Sequence, residues 1–442
     1  MMKHTNRRRL LKSLGLGLVG YSASGWLPEL AAKLATDPNR RRQCVLLWMN
    51  GGPSQTDTFD MKPGHKNGGE FSEIDTAVAG MRMSEHLPGL AAHTDKLAIV
   101  RGLSTKEGDH GRGTFLMRTG YQPAGPLRYP AIGASLSKEL GSGSDGMPNY
   151  ISISPYRNFN QAAYSPGFLG PRYAPLTVGA TDTPGNAPND EAYARLTVDD
   201  LVSGSDSDAL DDRLKLWRTL QDDFLERKRS VASVIAHDTV YRRAVNLMHS
   251  DSAHAFDLTQ EPDPVREAYG RGRFGQGCLM ARRLLERGVS FVEVSLGRIG
   301  GGTVGWDTHT ANFPAVQRLS EELDAGWSML MSDLSDRGML ETTTILWMGE
   351  FGRTPQINGR AGRDHFPAAW TCVFAGGGIA GGQVFGQTSD DGMQVVDGKA
   401  TAPDVIATLC EALGVSSETQ NESGLGRPIR LTEGTAIHDV LA

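Results

Sequence analysis

The feature that most restricts the fold is the exchange of short apolar runs with long amphipathic ones across residues 276–413. Residues 276–287 carry Leu279, Met280, Arg283 and Leu284 at helical spacing, and Gly288 supplies the flexible residue that ends a helix. The next run, 289–296 (VSFVEVSL), is short, apolar and rich in β-branched residues, as a buried strand is. A helix over 313–337 puts Leu319, Leu323, Trp327, Leu330 and Leu334 on one stripe before Gly338, and a strand over 343–348 follows. A further strand at 370–375 precedes a helix at 403–413 that opens on Pro403. Strands separated by helices of this length predict an α/β fold, a mostly parallel sheet with helices on both faces.

The amino half fits the same pattern less regularly. Residues 43–49 (QCVLLWM) and 97–101 (LAIVR) read as strands, and 132–140 as a helix. A Pro/Gly-rich tract at 141–190 and a charged helical section at about 205–270 interrupt the alternation, the latter as a helical insertion or cap with a solvated charged face. With 442 residues and 39% hydrophobic content, residues 43–442 are compatible with one elaborated domain. The net charge of −6 argues against a nucleic-acid surface. Cys44, Cys278, Cys372 and Cys410 lack metal-ligand spacing, so buried free thiols are expected.

Residues 1–42 read as an address rather than as part of the fold. Arg7-Arg8-Arg9-Leu10-Leu11-Lys12 has the twin-arginine pattern, and a weakly apolar, glycine-containing run follows it. The expectation is export through the twin-arginine translocation machinery to the periplasm or cell envelope, with membrane contact only through this segment if it is not removed. A basic tail beside a short hydrophobic helix is the plainer alternative.

Strand ends are where open α/β sheets present ligand-binding side chains. The first strand ends in Asn50-Gly51-Gly52, with Asp57 shortly after; the strand at 289–296 leads to Asp307 and His309; the strand at 343–348 leads to Glu350, Arg353, Arg363, Asp364 and His365. His110 and Arg112 lie at the start of a further helix, whose free N–H groups would favour an anion. Carboxylates and imidazoles are ligands for a divalent ion, Zn, Mn, Ca or Mg among them. Such an ion would polarise a phosphoryl or sulfuryl oxygen, with Arg353 or Arg363 neutralising others. Taken singly, Asp307 can instead cap the helix near Phe313, and His110 can be a loop histidine.

The segments GWDTHTANF (305–313), DRGMLETTTILWMGEFGRT (336–354), GRDHFPAAWTCVFAGGGIAGGQVFG (362–386) and TAPDVIATLCEALG (401–414) resemble the carboxyl half of the alkaline phosphatase and sulfatase superfamily. With VLLWMNGGPSQTDTFD (45–60) and the export signal, the chain more narrowly resembles a twin-arginine-exported bacterial family of unknown function within it. The resemblance implies an alkaline-phosphatase-like fold and a divalent metal site built from Asp307, His309, Glu350 and His365, with Asn50 or Asp57 standing near the superfamily's first-strand aspartate. It places His110 at the superfamily's nucleophile, where it would act as nucleophile or base; Arg353 as a catalytic residue and Arg112 and Arg363 as substrate contacts are read from the strand-end and helix-start residues themselves. The implied activity is hydrolysis of phosphate or sulfate esters, of a small molecule or a glycan. Asn50, His110 and Phe351 depart from the superfamily pattern, and a non-catalytic binding or assembly protein with a degenerate site is the alternative.

Overall fold

The computed structural model describes residues 42–141, 147–179, 196–198, 212–217, 219, 232–248, 250–297, 304–424 and 426–442. All lie in one compact unit, Arg42–Ala442. The export signal, most of the Pro/Gly-rich tract beyond 179, and most of the first insertion helix (208–229) fall outside the described residues.

In chain order the elements that build the domain are β1 (Gln43–Met49), β2 (Leu97–Leu103), α1 (His110–Thr119), α2 (Ile132–Glu139), β3 (Tyr150–Ile153), β4 (Leu176–Val178), α3 (Ala232–Met248), α4 (Arg273–Glu286), β5 (Phe291–Leu296), α5 (Asn312–Asp336), β6 (Thr343–Gly349), β7 (Trp370–Gly376), β8 (Gln383–Phe385) and α6 (Ala402–Ala412). Eight strands form one sheet in the order β8-β2-β7-β6-β1-β5-β3-β4. The β1–β5, β1–β6, β3–β5, β3–β4 and β2–β8 pairs are parallel, and β7 runs against both β2 and β6. The mostly parallel sheet expected from the helix–strand alternation is therefore present. No helix separates β6 from β7, and without a crossover helix the returning strand has to run the opposite way.

The two faces can be read from β1. Val45, Leu47 and Met49 belong to one apolar core with α4 and α5 residues such as Leu279, Leu284, Leu323 and Trp327, while Cys44, Leu46 and Trp48 join the other with Leu116, Ile132 and Ile406. Successive strand side chains point to opposite faces, so an unbroken apolar run is what a doubly covered strand requires. Every β1 residue is buried. All four cysteines are buried and free, and burial pushes their thiol pKa values up. Among the described residues no helix is long and apolar enough to cross a membrane.

A candidate metal centre

Four segments meet at the carboxyl end of the sheet. The first is the β1 exit, where Gly51 at φ +100 brings the backbone so near Asp307 N that a Cβ would lie 2.4 Å from it. Only glycine can make this approach. Gly51 N–H donates to Glu350 Oε1 at 2.8 Å, and the Gly51 and Gly52 carbonyls accept from Arg353.

The second and third segments are fastened together. Ala311 and Ala361 both sit at positive φ, +48 and +52, where one loop donates twice to the other: Ala311 N–H to Arg360 O, and Asn312 N–H to Ala361 O. Left-handed backbone costs a non-glycine residue about 1 kcal/mol or more. Here it lets the loop carrying Asp307 and His309 lie against the loop carrying Asp364 and His365. A two-residue antiparallel pairing then sets His365 opposite Arg353. The fourth segment is the start of α1, where Asp109 caps the helix by accepting from Arg112 N–H and His110 is the first helical residue.

Three imidazoles converge on one carboxylate oxygen. From Asp307 Oδ1 the Nε2 atoms of His309, His110 and His365 lie at 3.1, 3.3 and 3.3 Å, and His309 Nε2 is 3.0 Å from His365 Nε2. Behind each ring the Nδ1 is held by an acceptor: Glu350 Oε1 at 2.7 Å for His110, Asp364 Oδ1 at 2.7 Å for His309, and Gly108 O at 2.8 Å for His365. An acceptor at Nδ1 fixes the hydrogen there, so each neutral ring aims its Nε2 lone pair inward.

This donor set fits a cation. Donors about 2.0–2.1 Å from a tetrahedral ion are separated by about 3.3 Å, close to the spacings found here. His110 Nε2 is buried with no hydrogen-bond partner, and His110, Asp307 and His365 offer donor atoms within 4.8 Å of one another. A divalent ion would be held by His110, His365 and Asp307, with His309 Nε2 beside His365 Nε2 at 3.0 Å.

The electrostatics agree with the geometry. Burial pulls the His110 pKa down, but the neighbouring carboxylates Asp307 and Glu350 outweigh it and push it up to about 9. Burial likewise opposes ionisation of Asp307, but His110, His365 and Arg353 hold it far below the usual carboxylate range. His309 lowers the pKa of Asp364 by hydrogen bonding. Arg353 is fully buried, donates to Asp307 Oδ1 at 2.6 Å, and has its own pKa lowered by desolvation.

Several residues singled out in the sequence are placed elsewhere. Glu350 stands behind His110, on the far side of the ring from the convergent Nε2 atoms. Asp57 and Arg363, both fully buried, form a two-point ion pair at 2.7 and 2.8 Å; Asn312 donates to Asp57, and the carbonyls of Thr354, Pro355 and Asn67 accept from Arg363. Asp57 is thus spent on Arg363, and Arg363 is turned from solvent. Asn50 accepts from Trp48 Nε1 at 3.0 Å and bonds the 304–306 turn through its backbone. Arg112 forks onto Glu107 at 2.6 and 2.8 Å. Arg353 braces Asp307 from inside rather than facing the opening.

The sequence reading names Asp364 at a strand end without placing it behind His309, and it passes over the Gly108 carbonyl and Phe159. Phe159 stacks on His110, with ring centroids 4.2 Å apart and planes 3° from parallel, while Phe351 packs on both His110 and His365. The adjacency of Asp364 to His365 was the one available signal. Nothing local marks Gly108 or Phe159.

A family model described as a protein of unknown function (DUF1501) matches residues 41–441. The chain belongs to that family. No curated protein matches the chain. Similar solved structures include the lipoteichoic acid synthase LtaP from Listeria monocytogenes, at 10% identity and TM-score 0.42 over 93% of this chain and 82% of that one. The PsFucS1 sulfatase from Pseudoalteromonas sp. is similar at 12% identity and TM-score 0.43, over 89% and 71%. A protein in the alkaline phosphatase superfamily from Vibrio parahaemolyticus is similar at 11% identity and TM-score 0.38, over 88% and 74%.

Proposed function

We propose that this DUF1501 protein is a metal-dependent hydrolase of phosphate or sulfate esters, exported through the twin-arginine pathway and working with one divalent ion. The observation that carries the proposal is the convergence of His110, His309 and His365 Nε2 on Asp307 Oδ1, each ring held from behind at Nδ1. When bound, the ion supplies Lewis acidity toward an ester oxygen and makes water a better acid.

The protein's own groups arrange the site. Glu350, Asp364 and the Gly108 carbonyl fix the ring orientations. Arg353 keeps Asp307 ionised and aimed outward. The His309 side chain is 35% exposed against 14% for His110, so the cluster opens to solvent on the His309 side. Phe159 and Phe351 close the opposite side.

The test is metal analysis of the purified protein followed by assays on phosphate and sulfate ester panels. Turnover that depends on one equivalent of metal supports the proposal. A protein that takes up no divalent ion, with His309→Ala and His365→Ala unchanged in metal content, overturns it.

A second reading has its own observation. The resemblance sets His110 at the superfamily's nucleophile, yet both its ring nitrogens are directed at carboxylates, and Arg112, Arg353 and Arg363 are all engaged by acidic partners. Stoichiometric metal with no turnover on any ester favours a non-catalytic binding or assembly protein.

A further inference from the structure

A cavity of about 500 Å³ lies outside the histidine cluster and shares no residue with it. Asp60, Lys62, His65, Arg101, Gln387, Thr388 and Asp390 supply its polar lining, with Met61, Pro63 and Gly64 completing the wall. Its volume is in the range of small-molecule sites, yet its lining is unusually polar for one.

The inner end is built around a buried carboxylate that its neighbours neutralise. Asp60 Oδ1 takes Lys62 Nζ at 3.1 Å and lies 3.6 Å from Arg101 Nε, while Thr388 donates its hydroxyl to Asp60 Oδ2 at 2.5 Å. Lys62 Nζ also donates to Thr388 Oγ1 at 2.7 Å. An ammonium has three N–H donors, so one is left. Arg101 spends Nε on Phe59 O at 2.9 Å, and no protein partner among the described residues takes its two terminal nitrogens. An arginine inside a strand of the central sheet, with three-quarters of its side chain buried, thus presents an open planar fork to a cavity. That fork is the geometry which binds carboxylate or phosphate at two points. His65 accepts from Asn67 N–H through Nδ1, so the neutral ring keeps Nε2–H as a further donor.

Two cations against one buried carboxylate leave the inner end positive. The remaining acid of the lining, Asp390, is exposed beside Gln387 at the rim, where an acceptor suits hydroxyl groups. We propose that this cavity binds a small hydroxylated organic anion, a sugar acid or sugar phosphate, with its anionic end on Arg101 and Lys62 and its hydroxyls toward Gln387 and Asp390.

The experiment is titration calorimetry on the full metal-stripped protein with D-glucuronate, D-glucose 6-phosphate, inorganic phosphate and D-glucose. Stripping the metal, and repeating with His365→Ala, keeps anions at the histidine cluster out of the readout. The expected result is binding of glucuronate or glucose 6-phosphate, the stronger of the two identifying carboxylate or phosphate as the preferred end, with no binding of glucose. Arg101→Gln and Lys62→Met should each weaken that binding about tenfold, the loss of a charge-assisted contact, and His365→Ala should leave it unchanged. Should Arg101→Gln fail to fold by circular dichroism, Arg101→Lys, which keeps the charge without the fork, is expected to weaken binding as well. The proposal is overturned if neither acidic sugar binds at millimolar concentration, if glucose binds as tightly, or if the Arg101 and Lys62 variants bind like the unaltered protein. None of these outcomes depends on ester hydrolysis.

Discussion

His309 Nε2 and His365 Nε2 stand 3.0 Å apart, each with its Nδ1 already donated to an acceptor behind it. Two neutral rings so arranged place lone pair against lone pair, which is repulsive unless a proton or a cation lies between them. A divalent ion relieves the repulsion. Stripping the ion with a chelator should therefore lower the stability of the protein by about 3 kcal/mol when free ion had been near a hundredfold above its dissociation constant. Urea melts with and without chelator measure this, and identical midpoints would count against a bound ion.

Glu350 offers a test of which groups touch the ion. If it orients His110 from behind, Glu350→Gln should weaken metal affinity about 10- to 100-fold while leaving the stoichiometry at one. His365→Ala, which removes a donor, should lose more. Competition with a chromophoric chelator ranks the variants; Glu350→Gln falling to the level of His365→Ala would make Glu350 a ligand.

Arg353 is a stability residue as much as a site residue. It is fully buried, and its removal leaves Asp307 and the Gly51 and Gly52 carbonyls without their donor. Arg353→Met should cost about 3 kcal/mol or more by chemical denaturation. Arg353→Lys cannot reproduce the planar fork and is expected to recover only part of this.

The metal-free protein should have a pH signature. The folded His110 pKa of about 9 exceeds the unfolded value near 6.5, so its contribution to stability is full below about pH 6.5 and is lost as pH rises through 9, up to about 3 kcal/mol in all. Asp307 has the opposite sign: its depressed pKa contributes stability above about pH 3.9 that is lost as pH falls. Denaturation midpoints between pH 6 and 9.5 should fall for the metal-free protein and stay nearly level for His110→Gln. Metal binding at pH 7.5 should release a proton from His110, seen as a buffer-dependent binding enthalpy; an enthalpy independent of buffer would refute this.

The layers of the fold were legible because each long element carries its own signal. The stripe from Leu319 to Leu334 and the left-handed Gly338 mark α5, and the unbroken apolar run of β1 announces burial on both faces. Strand ends also pointed to Asp307, His309 and His365. What sequence does not carry is orientation. The resemblance sets His110 as nucleophile or base, and nothing in residues 104–121 says that its Nδ1 meets Glu350 and its Nε2 meets Asp307. The fate of Asp57 hinges on Arg363, 306 positions away, which takes both of its oxygens. A carboxylate near a strand end looks the same in sequence whether it meets a cation from solvent or from its own chain.

The reversed direction of β7 has a consequence for how this protein can change. Residues 350–369 leave the sheet and return to it on the same side, tethered at both ends to buried strands, and they carry Glu350, Arg353, Asp364 and His365 together. An extra residue within that tether displaces the acceptor behind His110, the brace on Asp307 or a convergent imidazole. An extra residue in the α5–β6 turn near Gly338, at the amino end of β6, displaces none of them. Length variation among proteins built on this plan should therefore gather at the amino ends of the strands, and the excursion between β6 and β7 should stay close to one length.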